Sequence, residues 1–335
     1  MSTRPTPAID LFTVSPRSSN AAEYWPRIER VIDLSEAHGY TGMLIFTGND
    51  TLVEPWVAAQ RLVERTERLV PLVAVNPIYA HPFTVAKQIA SLAHVYGRPT
   101  YLNMVAGAAI GSQRALGDTL DHDARYQRLG EFLAIVKGLL TQPRYSHRGA
   151  HYQVEDLQLL PPVPAESQPG FLLSGQSEAA LRVARSCEAV SMQMLPGSLS
   201  AGLRPGVGGI HFGVITRPRE DDAWEAARAL FPDDPEAQAM LELSMGNTDA
   251  SWKRRMKLAA DEGLDARPGY WLEPFRNFQA DCPYFVGSHA QVSALMESLV
   301  GAGVHTIILD LPPVEDEFVH TRRAITDAGL RVRHG

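Results

Sequence analysis

Two periodicities alternate along this chain. Short apolar runs recur, and between them apolar positions fall at i, i+3 and i+4, the spacing of one helix face. The pattern predicts strands at 8–14, 42–46, 69–75, 100–105, 171–173, 188–194, 210–216 and 305–311. It predicts helices at 24–38, 56–63, 83–95 and 316–328, with further helices opening near Asp121 and at Ser177. Polar loops are expected at 16–20 and 47–50. Strands alternating with helices at this spacing imply βαβ units and parallel pairing. Right-handed crossovers then bring every strand C-terminus to one rim. Eight such units close into a (β/α)8 TIM barrel whose active site lies at that rim.

Two stretches depart from the bare repeat. Residues 145–163 alternate polar and apolar positions and run into Pro161, Pro162 and Pro164, which predicts a hairpin and a proline-rich link before the fifth strand. Residues 218–281 are charged and mostly helical in pattern, an insertion between the seventh and eighth strands from which a lid would come. Residues 195–209 carry Gly and Pro throughout and leave too little chain for a full sixth helix. With no internal repeat, residues 1–335 read as one domain.

Composition removes several function classes. There are 38 acidic and 31 basic residues, a formal net charge of −7, and no Lys/Arg run. Nucleic acid and anionic membrane are therefore not expected as partners. The two cysteines, Cys187 and Cys282, form no CxxC pair, which argues against a disulfide framework and a cysteine zinc site. His147 and His151 sit in a strand-like pattern without a third ligand, so no metal is expected. The first residues are polar and lack an apolar signal core, and no apolar run reaches spanning length, so the expected location is cytoplasmic.

Candidate chemistry gathers at predicted strand ends. Ser174-Gly175-Gln176-Ser177 joins a buried strand to a helix. Small residues there allow close backbone approach, Ser177 is a good N-cap, and a helix start attracts anions. Asp121-His122-Asp123-Ala124-Arg125-Tyr126 opens the helix after the fourth strand, placing an imidazole and a phenol on the rim; equally, an aspartate there caps the helix while Tyr126 packs. Thr47, Asn49 and Asn76 follow strands, and Asn103 stands inside an apolar one, where it needs partners. A planar hydrogen-bonding ring at the mouth would supply them, and so would internal hydrogen bonds. There is no Gly-x-Ser-x-Gly elbow, and Gly206-Val207-Gly208-Gly209 lacks the strand–turn–helix setting of a dinucleotide fingerprint.

Taken together, these residues resemble the bacterial luciferase-like flavin monooxygenases, nearest to their alkanesulfonate monooxygenase branch. The resemblance rests on Gly39-Tyr40-Thr41-Gly42 with Thr47-Gly48, Tyr101-Leu102-Asn103-Met104-Val105 with Gly107, and Leu120-Asp121-His122 with Arg125-Tyr126. Pro161-Pro162-Val163, Ser174-Gly175-Gln176-Ser177 and Phe285-Val286-Gly287-Ser288 complete it. It implies a two-component enzyme that uses reduced FMN, delivered by a separate NAD(P)H:flavin reductase, and O2 to oxygenate a small organic substrate through a C4a-peroxyflavin. His122, Tyr126 and Ser174, Gly175, Gln176 and Ser177 would hold the phosphate. Thr47, Gly48, Asn103 and Ala74-Val75-Asn76 would face the ring, with a bulged or cis peptide near Ala74-Val75. A homodimer or homotetramer is the family pattern. Two alternatives are an F420-dependent oxidoreductase of the same superfamily and a non-catalytic flavin-binding barrel.

The substrate end differs from that branch. Its strand-seven arginine and histidine fall at His211 and Gly213, its cysteine after strand two at Thr51, its lid arginine near Phe278 with Arg276 two residues away, and its tyrosine after strand eight at Pro312. A sulfonate needs a dense cationic clamp. The cofactor and reaction class therefore carry over, and the sulfonate substrate does not. His211 is the catalytic candidate, titrating near neutrality if it faces the mouth rather than the outer wall. Thr51, Trp271 and Arg276 are the substrate candidates.

Overall fold

The computed structural model describes residues 6–16, 20–49, 51–262 and 268–334; parts of the 16–20 and 218–281 stretches, and Asp50, lie outside it. In chain order come β1 (Ala8–Val14), α1 (Ala21–Ala37), β2 (Gly42–Ile45), α2 (Pro55–Arg65), β3 (Val70–Val75), α3 (Pro82–Tyr96) and β4 (Tyr101–Met104). Next are the short α4 (Ile110–Ala115), the long α5 (His122–Thr141), β5 (Tyr145–Arg148), β6 (Gln153–Leu157), β7 (Phe171–Ser174), α6 (Glu178–Ser186), β8 (Val190–Met194) and α7 (Leu199–Gly202). The last part holds β9 (Gly209–Arg217), α8 (Glu220–Leu230), α9 (Pro235–Gly246), α10 (Ser251–Glu262), β10 (Tyr270–Trp271) and α11 (Glu273–Arg276). It ends with β11 (Tyr284–Ser288), α12 (His289–Gly301), β12 (Thr306–Asp310), α13 (Glu315–Asp327) and β13 (Arg331–Val332).

Parallel pairing runs β1-β2-β3-β4-β7-β8-β9-β12 and returns from β12 to β1, so the expected eight-stranded barrel closes. Its interior is filled by Phe12, Val14, Leu44, Leu72, Ala74, Leu172, Met192 and Ile308, with Tyr101 edge-on to Phe12 at 5.4 Å between ring centroids. Alternate residues such as Leu11, Met43, Val73, Leu102, Leu173, Ile210 and Leu309 face outward into the larger core under the helices. The hairpin of β5 and β6 stands outside the barrel as expected. It is anchored by Glu131 of α5, whose carboxylate accepts the amides of Ala150, His151 and Tyr152. The sixth helix is reduced to the single turn α7.

Two features correct the pattern reading. The 218–281 region is followed by a further strand, β11, which pairs in parallel with Gly213–Arg217 while β12 pairs with Gly209–Gly213. Strand β9 thus belongs to the barrel in its first half and leaves it in its second, where α8 and β11 bury Ile215, Ala223, Ala227, Cys282, Tyr284 and Val286 in a satellite core. The run Tyr284–Ser288 lies outside the eight-strand repeat and, among the described residues, pairs only with β9 and the short β10. The bulged or cis peptide expected near Ala74-Val75 is absent: β3 pairs with β4 in continuous register there, and the one cis bond among the described residues is Leu160–Pro161.

The insertion is tied to the barrel by Arg125 of α5, which is 5% exposed and pairs with Asp249. Removing one partner of a buried ion pair leaves the other charge unmatched, at a cost of about 3 kcal/mol or more. Asp249→Asn is therefore expected to lower the unfolding midpoint by several degrees. Equal midpoints in thermal melts of the two proteins would show that the pair carries little. No helix among the described residues is long and apolar enough to cross a membrane.

Candidate active site

The strand C-termini bring several of the expected residues into direct contact. Asn103 pairs in register with the interior residues Ala74 and Leu172, so it points into the barrel, where it is 5% exposed. One barrel layer higher, the Ser174 hydroxyl donates to Asn103 Oδ1 at 2.8 Å. The need for a partner inside an apolar strand is thus met by a neighbouring strand. Beyond Ser174, the chain turns at Gly175 with φ +149, a conformation that L side chains rarely adopt. A Cβ there would sit 2.1 Å from Tyr126 Oη, so the turn lies directly against the phenol.

Tyr126 reaches this place because α5 starts beside the turn. Asp121 caps the helix through the Ala124 amide at 2.8 Å. Tyr126, one helical turn on, is nearly buried and donates its hydroxyl to the Ser174 carbonyl at 3.3 Å. The aspartate cap and the packed tyrosine of the second reading are both present, with the phenol standing at the strand ends. Burial pushes the Tyr126 hydroxyl up to about 12, so it remains a neutral donor across the ordinary pH range. His122 lies against its ring at 5.0 Å between centroids and bonds Asp123 Oδ1 through Nδ1 at 2.8 Å. Ser177 caps α6 by accepting from the Ala180 amide at 3.2 Å. The earlier amides of that first turn have no helical acceptor, which leaves an anion-attracting end beside Tyr126 and His122.

His211 also faces inward. Its register partners are Ile308, an interior residue, and Met194, and neighbours in parallel register share a face. Two residues on, Gly213 pairs with Asp310 on one side and Tyr284 on the other. A Cβ at Gly213 would lie 2.2 Å from the Tyr284 ring, so that ring fills the space where a strand-seven side chain would stand. Tyr284 is 1% exposed, packs edge-on against Phe231 at 4.8 Å, and donates its hydroxyl to Asp310. Burial above all, and then the Asp310 charge, hold that hydroxyl far above the usual tyrosine range. At the position where the alkanesulfonate branch would carry a histidine, the buried Tyr284 ring takes up the space behind Gly213, with Asp310 beside it.

The remaining candidates are less closely joined. Thr47 and Gly48 follow β2 on the same rim, and Thr51 donates its hydroxyl to the Gly48 carbonyl at 2.8 Å. Asn76 is 5% exposed and accepts from the Ile78 amide at 3.2 Å, closing the turn after β3. Trp271 sits in the satellite core, edge-on to Trp224 and Phe231. Arg276 bonds Glu273 at 2.8 Å within α11. Sequence reasoning missed Arg204 and Arg255, which both bond Gln176. They come from distant segments, and no local pattern marks them.

The donor set tests well against a phosphorylated cofactor. A turn that admits no side chain, a helix start, a neutral phenol, an imidazole and two guanidiniums suit a phosphate, and the Asn103–Ser174 pair supplies polar groups above an apolar barrel floor.

Fold and site together define a (β/α)8 barrel with a glycine turn and a serine-capped helix start after its fifth strand. The chain belongs to the luciferase-like monooxygenase family, whose sequence profile matches residues 8–306. Among curated proteins, it is 29% identical over 312 residues to the 4-(gamma-L-glutamylamino)butanoyl-[BtrI acyl-carrier protein] monooxygenase BtrO of Niallia circulans, covering 90% of this chain and 91% of that one. Among solved structures, it resembles EDTA monooxygenase EmoA from Chelativorans sp. BNC1 with a TM-score of 0.70 at 16% identity, over 96% of this chain and 94% of the other. Riboflavin lyase RcaE, solved with modified FMN and riboflavin, matches with a TM-score of 0.72 at 15% identity, over 97% and 92%. At these identities the two structures bear on the fold alone.

Proposed function

We propose that this protein is the oxygenating component of a two-component monooxygenase, taking reduced FMN from a separate flavin reductase and using O2 to oxygenate a small organic substrate. The observation that carries this reading is the contact of Asn103, Ser174, Tyr126 and Gly175 at one end of a closed barrel in a luciferase-like chain. His122, Tyr126 and the Gly175–Ser177 turn would hold the phosphate. Asn103, Thr47, Gly48 and the Ala74–Asn76 strand end would orient the ring. When bound, reduced flavin supplies the O2-activating chemistry.

The protein's own part is position and exclusion of water. The apolar interior below Asn103 keeps the inner side of the site dry. His211, facing that interior, would hold or deliver a proton at its imidazole nitrogen near the reacting atoms. Closure would fall to α9 and α10 of the insertion, since α8 is built into the satellite core. The Asp310 carboxylate, beside a strand-seven position that the buried Tyr284 ring closes to a cationic side chain, favours a substrate that is not strongly anionic. BtrO's carrier-bound acyl substrate makes a tethered acyl group one class to test beside free neutral amides.

The test is anaerobic titration with reduced FMN and with reduced F420, followed by turnover with a flavin reductase, NADH and O2. Reduced FMN is expected to bind at micromolar concentration or tighter, and F420 more weakly. F420 binding the more tightly would favour hydride transfer instead, and binding of neither would end the proposal. His211→Asn is expected to keep FMN affinity within about three-fold while lowering turnover at least ~100-fold, the usual scale of a lost acid–base group. Unchanged turnover would remove His211 from the chemistry.

A further inference from the structure

Gln176 is held from two sides. Arg204, in the loop after α7, donates through Nη1 to the Gln176 carbonyl and through Nη2 to the Glu178 carboxylate. Arg255, on α10 of the insertion, donates through Nη2 to Gln176 Oε1. The two guanidiniums therefore converge on one residue, at the start of α6 and beside Tyr126. Burial first, and then the charge of Arg204, lower the pKa of Arg255. Among the described residues no carboxylate pairs with Arg255. The carboxylate facing Arg204 belongs to Glu178, whose side chain is 65% exposed, so solvent screens it.

This concentrates positive charge where the helix start already favours an anion. Arg255 is exposed and Arg204 half-buried, but two guanidiniums converging beside a helix terminus suit the oxygens of a phosphate monoester, which accept several charge-assisted hydrogen bonds at once. Neither arginine is needed to form the turn. Ser177 caps the helix, and Gly175 with Tyr126 sets the close approach.

We infer that Arg204 and Arg255 complete the phosphate clamp of the Gly175–Ser177 turn, so that a bound flavin phosphate fastens α10 of the 218–281 insertion to the barrel. The inference rests on the flavin reading above and deepens it. It makes the phosphate more than an affinity handle: a flavin carrying it would add a second fastening to the Arg125–Asp249 tie between insertion and barrel, and a flavin lacking it would not.

The experiment compares FMN with riboflavin on the full chain, by flavin titration and by limited proteolysis within 218–281. The unmodified protein is expected to bind FMN at least ~100-fold tighter than riboflavin, and FMN alone should slow cleavage of the insertion. Arg255→Gln and Arg204→Gln should each weaken FMN binding about ten- to a hundred-fold, the range for a lost charge-assisted bond, with riboflavin binding within two-fold. Arg255→Lys should recover part of the loss, and Arg255→Gln should abolish protection by FMN. Riboflavin binding by the same variants reports that the site is still folded. If the variants leave the FMN-to-riboflavin ratio unchanged while the unmodified protein binds FMN well, this inference falls and the functional proposal stands. If the unmodified protein binds neither flavin, both fall.

Discussion

Gly175→Ala is expected to remove tight flavin binding. The added Cβ would stand 2.1 Å from Tyr126 Oη and 2.8 Å from Ala180 Cβ. Tyr126 is nearly buried and tied to the Ser174 carbonyl, and Ala180 is fixed in the first turn of α6, so neither can withdraw freely. The backbone conformation of φ +149 adds strain of about 1–3 kcal/mol for an L side chain. Overpacking adds a similar amount, about 1–3 kcal/mol. The turn should relieve both by moving away from Tyr126, which opens the site expected to hold the phosphate. FMN affinity should fall more than ~100-fold, about 2.7 kcal/mol, and the melting temperature should drop by several degrees. Tyr126→Phe keeps the packing and loses the donor, so a smaller loss, about ten-fold, is expected from it. An alanine variant that binds FMN as well as the parent would show that nothing approaches the turn closely.

The second large effect is expected at Gly213. A methyl group there would overlap the Tyr284 ring at 2.2 Å. That ring is enclosed by Phe231 and held by Asp310, so the overlap has no soft side. Gly213→Ala should cost about 3 kcal/mol, the upper end of overpacking penalties, and Gly213→His more. Restoring a histidine at this position should therefore unfold the rim rather than create a sulfonate clamp. In Gly213→Ala/Tyr284→Ala the alanine methyl has room, so the double variant should be more stable than the sum of the single losses implies. Urea unfolding of the three proteins measures this coupling. Strict additivity would mean that the ring and the glycine do not share one space.

These two glycines mark different degrees of legibility. Gly175 stands in a small-residue turn between an apolar run and a capped helix, and that local pattern was enough to single it out. Gly213 looks ordinary in its strand. Its meaning comes from Tyr284, seventy-one positions later, on a strand outside the eight-strand repeat. Asn103 lies between these cases. Its oddity inside an apolar strand was visible, but its partner Ser174 is set by a strand pairing that no local pattern encodes.

By itself the sequence determined the local elements, because apolar period, glycine breaks and helix caps act over a few residues; from these came eight strands, the outlying hairpin, the reduced helix α7 and the turn at 174–177. The strand registers, the inward face of His211, the second half of β9 leaving the wall, and the meeting of Arg204 and Arg255 at Gln176 were decided only by tertiary structure. Each of those depends on register and on side chains brought together from distant segments, and that proximity exists only once the barrel has closed.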